Sequence, residues 1–152
     1  MTEERYPRDL PPFWFLIGVG AMFALHHLVP IAVVLPTPWN KLGWALITVG
    51  GVIALPSLLG FRRAGTSIKP FRPVRALVAE GPYRFTRNPM YLALVVMAFG
   101  VALRLGTLSP LIVPPALFLI LDRRFVRREE RFLRANLGTA YDDYCGRVRR
   151  WL

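Results

Sequence analysis

Apolar residues fall in four long runs that are separated by polar segments. The runs cover residues 13–35, 42–59, 90–104 and 107–121, and the first two contain no Lys, Arg, Asp or Glu. A helix needs about 20 apolar residues to cross roughly 30 Å of hydrocarbon. The two longer runs therefore predict membrane-spanning helices. The two shorter runs predict a helical hairpin, which completes an all-α polytopic membrane protein with about four transmembrane helices.

Charge is distributed unevenly along this pattern. The chain of 152 residues, which predicts one domain over residues 1–152, carries a net charge of +11. Of its 20 Lys and Arg residues, 18 precede the first run, lie in the loop over residues 60–89 or lie in the tail over residues 122–152. The positive-inside rule then predicts a multi-pass protein with both termini, the loop and the tail in the cytosol. This distribution favours contact with membrane lipids and argues against nucleic acid as a partner.

The segment Gly81-Pro82-Tyr83-Arg84-Phe85-Thr86-Arg87-Asn88-Pro89-Met90-Tyr91, called here the proline motif, leads from the loop into the third run. Pro82 and Pro89 disfavour helix at the residues before them, so a loop should end at Pro89, which suits the first position of a helix. The helix N-terminus and the cations of Arg84 and Arg87 suit a carboxylate or phosphate, and Tyr83 and Tyr91 suit stacking on a flat ring. A juxtamembrane loop that contacts lipid headgroups is the plainer alternative.

The tail predicts an amphipathic helix from Asp122 to Leu137, ended by Gly138. With Phe125 at 0°, Glu129 falls at about 40°, in the middle of the apolar face, and Glu130 at about 140°, on its edge. A buried acid is costly unless it is paired, so Glu129 is the acid to single out. An ion pair with Arg84 or Arg87 would be a purely structural reason for it, and Arg134 is a helical partner for Glu130.

The proline motif resembles the G-P-Y-x-x-x-R-H-P-x-Y motif of the integral-membrane methyltransferases, a family that includes isoprenylcysteine carboxyl methyltransferase and the phospholipid N-methyltransferases. The tail motif E-E-x-x-L-x-x-x-x-G-x-x-Y-x-x-Y-x-x-R-V, from Glu129 to Val148, is similar to the C-terminal motif of that family. Together the resemblance covers about residues 65–150. Asn88 stands where many members have His.

The resemblance implies S-adenosylmethionine as the cofactor and a cytosolic cap of tail helices over its site. It also implies Glu129 as a cofactor contact and Arg147 as a residue near the substrate. The expected catalytic residues are Arg147 and Glu129, the latter because a glutamate whose pKa is raised by burial is the best candidate for the base that an amine or thiol acceptor needs. The residues expected to bind the cofactor are Tyr83, Arg84, Arg87, Asn88, Pro89, Tyr91, Glu130, Tyr141 and Tyr144. The expected acceptor is small and apolar or lipid-like, and whether oxygen, nitrogen or sulfur is methylated is left open. Small-residue faces such as Gly50-Gly51 permit helix pairing and leave the oligomeric state open.

No metal is expected, because methyl transfer does not need one and Cys145 is the single cysteine of the chain. The cofactor should not be held in a Rossmann manner, since no G-x-G-x-x-G motif follows a strand. His26 and His27 are the ionisable residues of the first run, and at least one is expected to hydrogen-bond a neighbouring helix. Two alternatives remain: an NADPH-dependent membrane reductase of the sterol-reductase type, and a non-enzymatic small-molecule transporter.

Overall fold

The computed structural model describes residues 9–63 and 77–152, and these form helices joined by turns. The helices are α1 (Pro11–Leu28), α2 (Leu42–Arg63), α3 (Pro89–Leu105), α4 (Val113–Leu121), α5 (Arg127–Leu137) and α6 (Thr139–Arg147). Short 3-10 turns lie at Trp39–Lys41, Gly81–Arg84 and Ser109–Ile112, and a π-helical segment, Asp122–Val126, joins α4 to α5. The predicted all-α class is therefore confirmed for these ranges. Residues 64–76 of the predicted loop lie outside the described residues.

Among the described residues, two helical segments are long and apolar enough to cross a membrane. They are Pro11–Leu28 and Trp39–Arg63, with mean hydropathies of 1.3 and 1.9. Only 17% of either segment is buried within the molecule, whereas the core helix of a soluble protein is mostly buried. Their exposed apolar surfaces therefore fit a lipid environment. Pro89–Leu105 is apolar as well, but it is shorter.

The first helix is shorter than the apolar run from residue 13 to 35 because α1 ends at Leu28. Pro30 disfavours helical backbone at the residue before it, and Val29 has φ −137°. The apolar residues that follow lie along the turn between α3 and α4 instead. There the Val34 N–H donates to the Gly106 carbonyl at 2.8 Å, and the Leu108 N–H donates to the Ala32 carbonyl at 2.9 Å.

Small residues bring α2 and α3 into close contact. A Cβ atom at Gly43 would lie 2.4 Å from the carbonyl oxygen of Gly100, and one at Gly50 would lie 2.9 Å from that of Ala93. Either distance is shorter than van der Waals contact, so only glycine fits at these positions. Of the Gly50-Gly51 pair expected to allow close contact, only Gly50 faces α3, because nothing lies within 4 Å of a Cβ at Gly51.

The chain continues from α4 into α5 without a break, so the tail helix is not a separate element that starts at Asp122. Leu121, Phe125 and Val126 are buried against α1 and α3 in one apolar core. Two hydrogen bonds of 2.8 Å from the Arg124 guanidinium to the Asp9 carboxylate tie this joint to the start of α1.

The expected histidine contact is present at the other end of α1. His26 Nδ1 lies 2.8 Å from the Thr107 hydroxyl, between α1 and the turn that precedes α4. This bond satisfies a polar side chain of an otherwise apolar helix.

Candidate functional site

The proline motif and the end of the tail are in direct contact, although they are far apart in the sequence. The Arg87 backbone N–H donates to the Arg149 carbonyl at 2.9 Å. The Thr86 hydroxyl and the Asn88 side-chain amide donate to the Arg150 carbonyl at 3.0 and 3.1 Å. The loop before α3 is thus covered by the residues that follow α6.

Pro89 is the first residue of α3, as expected, and the loop before it ends at Asn88. The Pro89 ring has no N–H group, which would have had no helical partner at this position. Local sequence chemistry therefore explains where α3 begins and why the proline motif lies at its N-terminal end.

Glu130 of α5 lies between two arginines beside this contact. Its Oε2 accepts hydrogen bonds from Nε and Nη2 of Arg150 at 2.9 and 2.6 Å. Its Oε1 lies 3.5 Å from Nη2 of Arg87. These two cations offset the cost of burying the Glu130 carboxylate.

The helical pairing of Glu130 with Arg134 was predicted wrongly. Arg134 is turned outward, and its Nε donates to Asp142 on α6 at 2.7 Å. The π segment Asp122–Val126 precedes α5 and has a wider turn than an α-helix. It rotates the residues of α5 relative to a regular helical wheel and brings Glu130 inward from the edge of the apolar face.

Two buried polar atoms in this cluster have no hydrogen-bond partner among the described residues, Nε of Arg87 and Oε1 of Glu130. A buried polar atom without a partner costs about 1–3 kcal/mol, so native proteins rarely keep one that has no role. Here a donor and an acceptor lie on side chains only 3.5 Å apart. The arrangement fits a polar ligand that both accepts and donates hydrogen bonds.

Glu129, one residue earlier, binds a different partner. The Tyr91 hydroxyl donates to its Oε2 at 2.7 Å, and the Tyr91 ring stacks on Phe125 with centroids 6.4 Å apart. The residue as a whole is half-buried, but its carboxylate is enclosed, and this burial raises the pKa of Glu129. The Tyr91 hydrogen bond opposes the rise in pKa, and the charge of Glu130 adds to it. The direction is the one expected of a base candidate.

The structural alternative of a Glu129 ion pair with Arg87 does not describe this site. The Arg87 guanidinium instead approaches Glu130 and donates from Nη1 to the Cys145 sulfur. Glu129 therefore relies on a neutral phenol rather than on that cation.

Three further tyrosines line the same region and are buried, namely Tyr83, Tyr141 and Tyr144. The Tyr144 hydroxyl donates to the Tyr83 carbonyl at 2.7 Å, which joins α6 to the proline motif. Burial raises the pKa of Tyr144 to about 12, and it raises the pKa of Tyr83 and of Tyr141 well above the ordinary phenol value. All three are therefore neutral at physiological pH.

Two of the predicted site residues lie apart from this cluster. Arg84 is exposed, and Arg147 is exposed with its Nε 3.3 Å from the Asp143 carbonyl of its own helix. Their expected roles beside cofactor and substrate stay predictions.

Sequence reasoning did not assign Arg150 or Trp151 to the site. The Trp151 indole N–H donates to the buried Asp122 at 3.3 Å, and its ring packs on Phe118 with centroids 4.7 Å apart. Both residues satisfy buried acids, since Arg150 binds Glu130 as Trp151 binds Asp122. The available signal was the presence of Asp122 on the apolar face and Glu130 at its edge, because buried acids require nearby donors.

Two helices that are long and apolar enough to cross a membrane, with their apolar surfaces exposed, indicate a membrane protein, and the acid–arginine cluster lies at one end of its helices. The model of the phospholipid methyltransferase family matches residues 39–140, more than half of the chain, and the chain belongs to this family. The match includes α2, the proline motif, the hairpin and α5. A search of curated proteins found no match. Family membership implies methyl transfer to a lipid-like substrate.

Proposed function

We propose that this protein transfers a methyl group from S-adenosylmethionine to a small apolar or lipid-like acceptor at the membrane, in the manner of isoprenylcysteine carboxyl methyltransferase. The observation that carries the proposal is a pair of buried atoms, Arg87 Nε and Glu130 Oε1, that have no hydrogen-bond partner within the described part of the chain. They lie where the proline motif and the tail meet, which are the two segments that resemble the family.

The donor set fits the methyl donor chemically. Its amino-acid portion carries a carboxylate, which suits the Arg87 guanidinium, and an ammonium group, which suits the Glu130 carboxylate. When bound, S-adenosylmethionine supplies a methyl group activated by a sulfonium. The protein then has to orient the reactants and exclude water. Buried Tyr83, Tyr91 and Tyr144 provide rings for both tasks.

Glu129 is the residue that would hold a proton. Because burial raises its pKa, its carboxylate is a stronger base than an exposed glutamate and suits removal of a proton from an amine or thiol acceptor. A carboxylate acceptor would not need this base. The effect of Glu129→Gln on transfer therefore separates these acceptor classes.

We also propose that the polar cluster faces the cytosol and that the chain crosses the membrane four times, with both termini cytosolic. Lys41 and Arg104 lie at the same end of the α2–α3 pair, where the Asn40 amide donates to the Arg104 carbonyl at 3.3 Å. Arg62 and Arg63 lie at the opposite end of α2. The side with few cations is therefore the external side under the positive-inside rule.

The test is calorimetric titration of detergent-purified protein with S-adenosylmethionine and, separately, with NADPH. Arg87→Ala should weaken binding of the methyl donor by about ten- to a hundredfold, the usual effect of losing hydrogen bonds to a charged group. Arg123→Ala is the matched control, since it removes an equal charge from an exposed position. It should leave binding unchanged.

If folded wild-type protein does not bind S-adenosylmethionine, the proposal is wrong. Binding of NADPH alone would then favour the reductase, and binding of neither would favour the transporter. Equal losses of affinity for S-adenosylmethionine in Arg87→Ala and Arg123→Ala would show that the binding site does not lie at the proline motif.

A further inference from the structure

Residues 149–151, called here the strap, cross the proline motif after α6. Two successive strap carbonyls are engaged by the motif: Arg149 accepts from the Arg87 backbone N–H, and Arg150 accepts from Thr86 and Asn88. The backbone N–H of Arg87 and the side chains of Thr86 and Asn88 therefore fix the backbone of the strap at the N-terminal end of α3.

Two strap side chains, those of Arg150 and Trp151, contact α5 and the π segment. Arg150 binds Oε2 of Glu130 with two hydrogen bonds, and Trp151 binds Asp122. The strap thus connects the proline motif to the acids of the tail. The other oxygen of Glu130, Oε1, has no hydrogen-bond partner among the described residues and lies 3.5 Å from Nη2 of Arg87.

Three polar groups of Asn88 bind other residues of the protein. Its backbone N–H donates to the Thr86 hydroxyl at 3.2 Å, its carbonyl accepts from the Leu92 N–H at 3.0 Å, and its side-chain nitrogen donates to Arg150. Asn88 is also buried, with 7% of its surface exposed. Its backbone therefore holds the start of α3, and its side-chain amide holds the strap.

We propose that Asn88 is a positioning residue: it fastens the strap through the Arg150 carbonyl, and so holds the Arg150 guanidinium on one oxygen of Glu130 while the other oxygen stays available to ligand. This inference rests on the proposed function for the identity of that ligand. Without the fastening, Arg150 leaves Glu130, and Arg87 becomes the remaining cation beside a buried carboxylate. The existing ion pair between Arg87 Nη2 and Glu130 Oε1, which lie 3.5 Å apart, then tightens, and both groups are withdrawn from the ligand.

Cys145 provides a readout that needs no methyl donor. It is the single cysteine of the chain, it is half-buried, and its sulfur accepts a hydrogen bond from Arg87. Release of the strap frees the Arg87 backbone, which loosens this contact. The rate of alkylation of Cys145 by N-ethylmaleimide therefore reports whether the strap is fastened.

The decisive variant is Asn88→Asp, which keeps the shape of the side chain but places a carboxylate oxygen against the Arg150 carbonyl. We expect Cys145 to be alkylated severalfold faster and S-adenosylmethionine to bind about tenfold more weakly, the scale of one buried hydrogen bond that is lost and opposed. Asn88→Ser has a shorter side chain and adds no charge, and it should change the alkylation rate and the affinity in the same directions. This variant replaces Asn88→Asp in the test if Asn88→Asp does not fold.

Arg150→Ala identifies the route of the effect. If Asn88 acts through Arg150, the double variant Asn88→Ser/Arg150→Ala should bind the methyl donor no more weakly than Arg150→Ala alone. Additive losses would mean that Asn88 contacts the ligand directly and would overturn the proposal. Alkylation at the wild-type rate in a folded Asn88 variant would overturn it as well.

Failure of the proposed function gives a different pattern. Wild-type protein would then not bind S-adenosylmethionine at all, and the alkylation rates alone would decide whether Asn88 fastens the strap.

Discussion

The Tyr91 hydroxyl on the first turn of α3 donates a hydrogen bond of 2.7 Å to Oε2 of Glu129 on α5. This bond stabilises the ionised carboxylate and lowers a pKa that burial raises. Tyr91→Phe keeps the ring on Phe125 and removes the donor. We expect the pKa of Glu129 to rise further, so that the acidic limb of the pH–rate profile moves to higher pH. Relative to wild type, the loss of activity should be severalfold larger at pH values below the limb than at values above it.

Tyr144→Phe is the comparison for that experiment. It removes a phenol whose partner is the Tyr83 carbonyl rather than a carboxylate. It should lower stability without moving the acidic limb. A limb that stays in place in Tyr91→Phe would contradict a role for Glu129 as the base.

The contribution of Glu129 to the stability of the protein should fall as pH rises. Burial raises its pKa, so the folded state binds this proton more tightly than the unfolded state. The stability from this group is complete below the unfolded pKa and is lost as pH rises through the folded pKa. Glu129→Gln can still accept from Tyr91, and it should unfold a few degrees higher than wild type at pH 8, on a scale of roughly 2–4 °C per kcal/mol.

Thermal unfolding of both proteins between about pH 4 and 8 checks this expectation. The two midpoints should converge at the acidic end, where the glutamate is protonated in both states. A constant difference across the range would show that the carboxylate does not titrate in that window.

Close packing of α2 on α3 makes Gly43 intolerant of a side chain. The added Cβ of Gly43→Ala would lie 2.4 Å from the Gly100 carbonyl oxygen, and such overpacking costs about 1–3 kcal/mol. The thermal midpoint in detergent should fall by several degrees. Gly51→Ala on the same helix meets no atom within 4 Å and should be neutral or slightly stabilising, so equal effects would refute the packing argument.

The ion pair between Asp9 and Arg124 should stabilise the protein at neutral pH and should be lost in acid. The Arg124 hydrogen bonds hold the pKa of Asp9 well below its usual value of 3.8, against the effect of burial, and a hydrogen bond from Trp14 adds to the lowering. Stability from a lowered acid pKa is present above the unfolded pKa and is lost as pH falls through the folded one.

Asp9→Asn should therefore unfold at a lower temperature than wild type at pH 7, and the gap should narrow below about pH 4. Added salt should narrow it too, because Arg124 is 42% exposed. Asp143→Asn changes an exposed acid on α6 and is the control. A gap that is unaffected by acid would mean that Asp9 contributes through its shape rather than its charge.

The parts of this fold that depend on local chemistry were predictable from the sequence. Uncharged apolar runs predicted the helices, and Pro89 marked the start of α3 because proline suits a first helical position. A proline also disfavours helical backbone at the residue before it. This local rule explains why Pro30 ends α1 at Leu28, before the first apolar run ends. The family resemblance led us to expect the proline motif close to the acids of the tail, and Tyr91 and Arg87 do contact Glu129 and Glu130.

The partners within the site were not predictable, because they depend on tertiary contacts. Glu130 binds Arg150, which lies 20 positions away, and the π segment changes the orientation of α5 by an amount that a regular helical wheel does not contain. Helical spacing therefore pointed to Glu129 and Glu130, which both contact residues of the proline motif, but it gave the wrong partner for Glu130. The contact of Asn88 with the Arg150 carbonyl depends on the tertiary position of the strap, which the sequence pattern does not predict.

The strap also sets the order in which the site can assemble during synthesis. Asn88 binds a carbonyl 62 positions further along the chain, so the proline motif leaves the ribosome well before its partner exists. Both arms of the hairpin are made in that interval. The hairpin helices can therefore form before the strap reaches the proline motif, and the contacts between the strap and the motif cannot form until residue 150 is free of the ribosome.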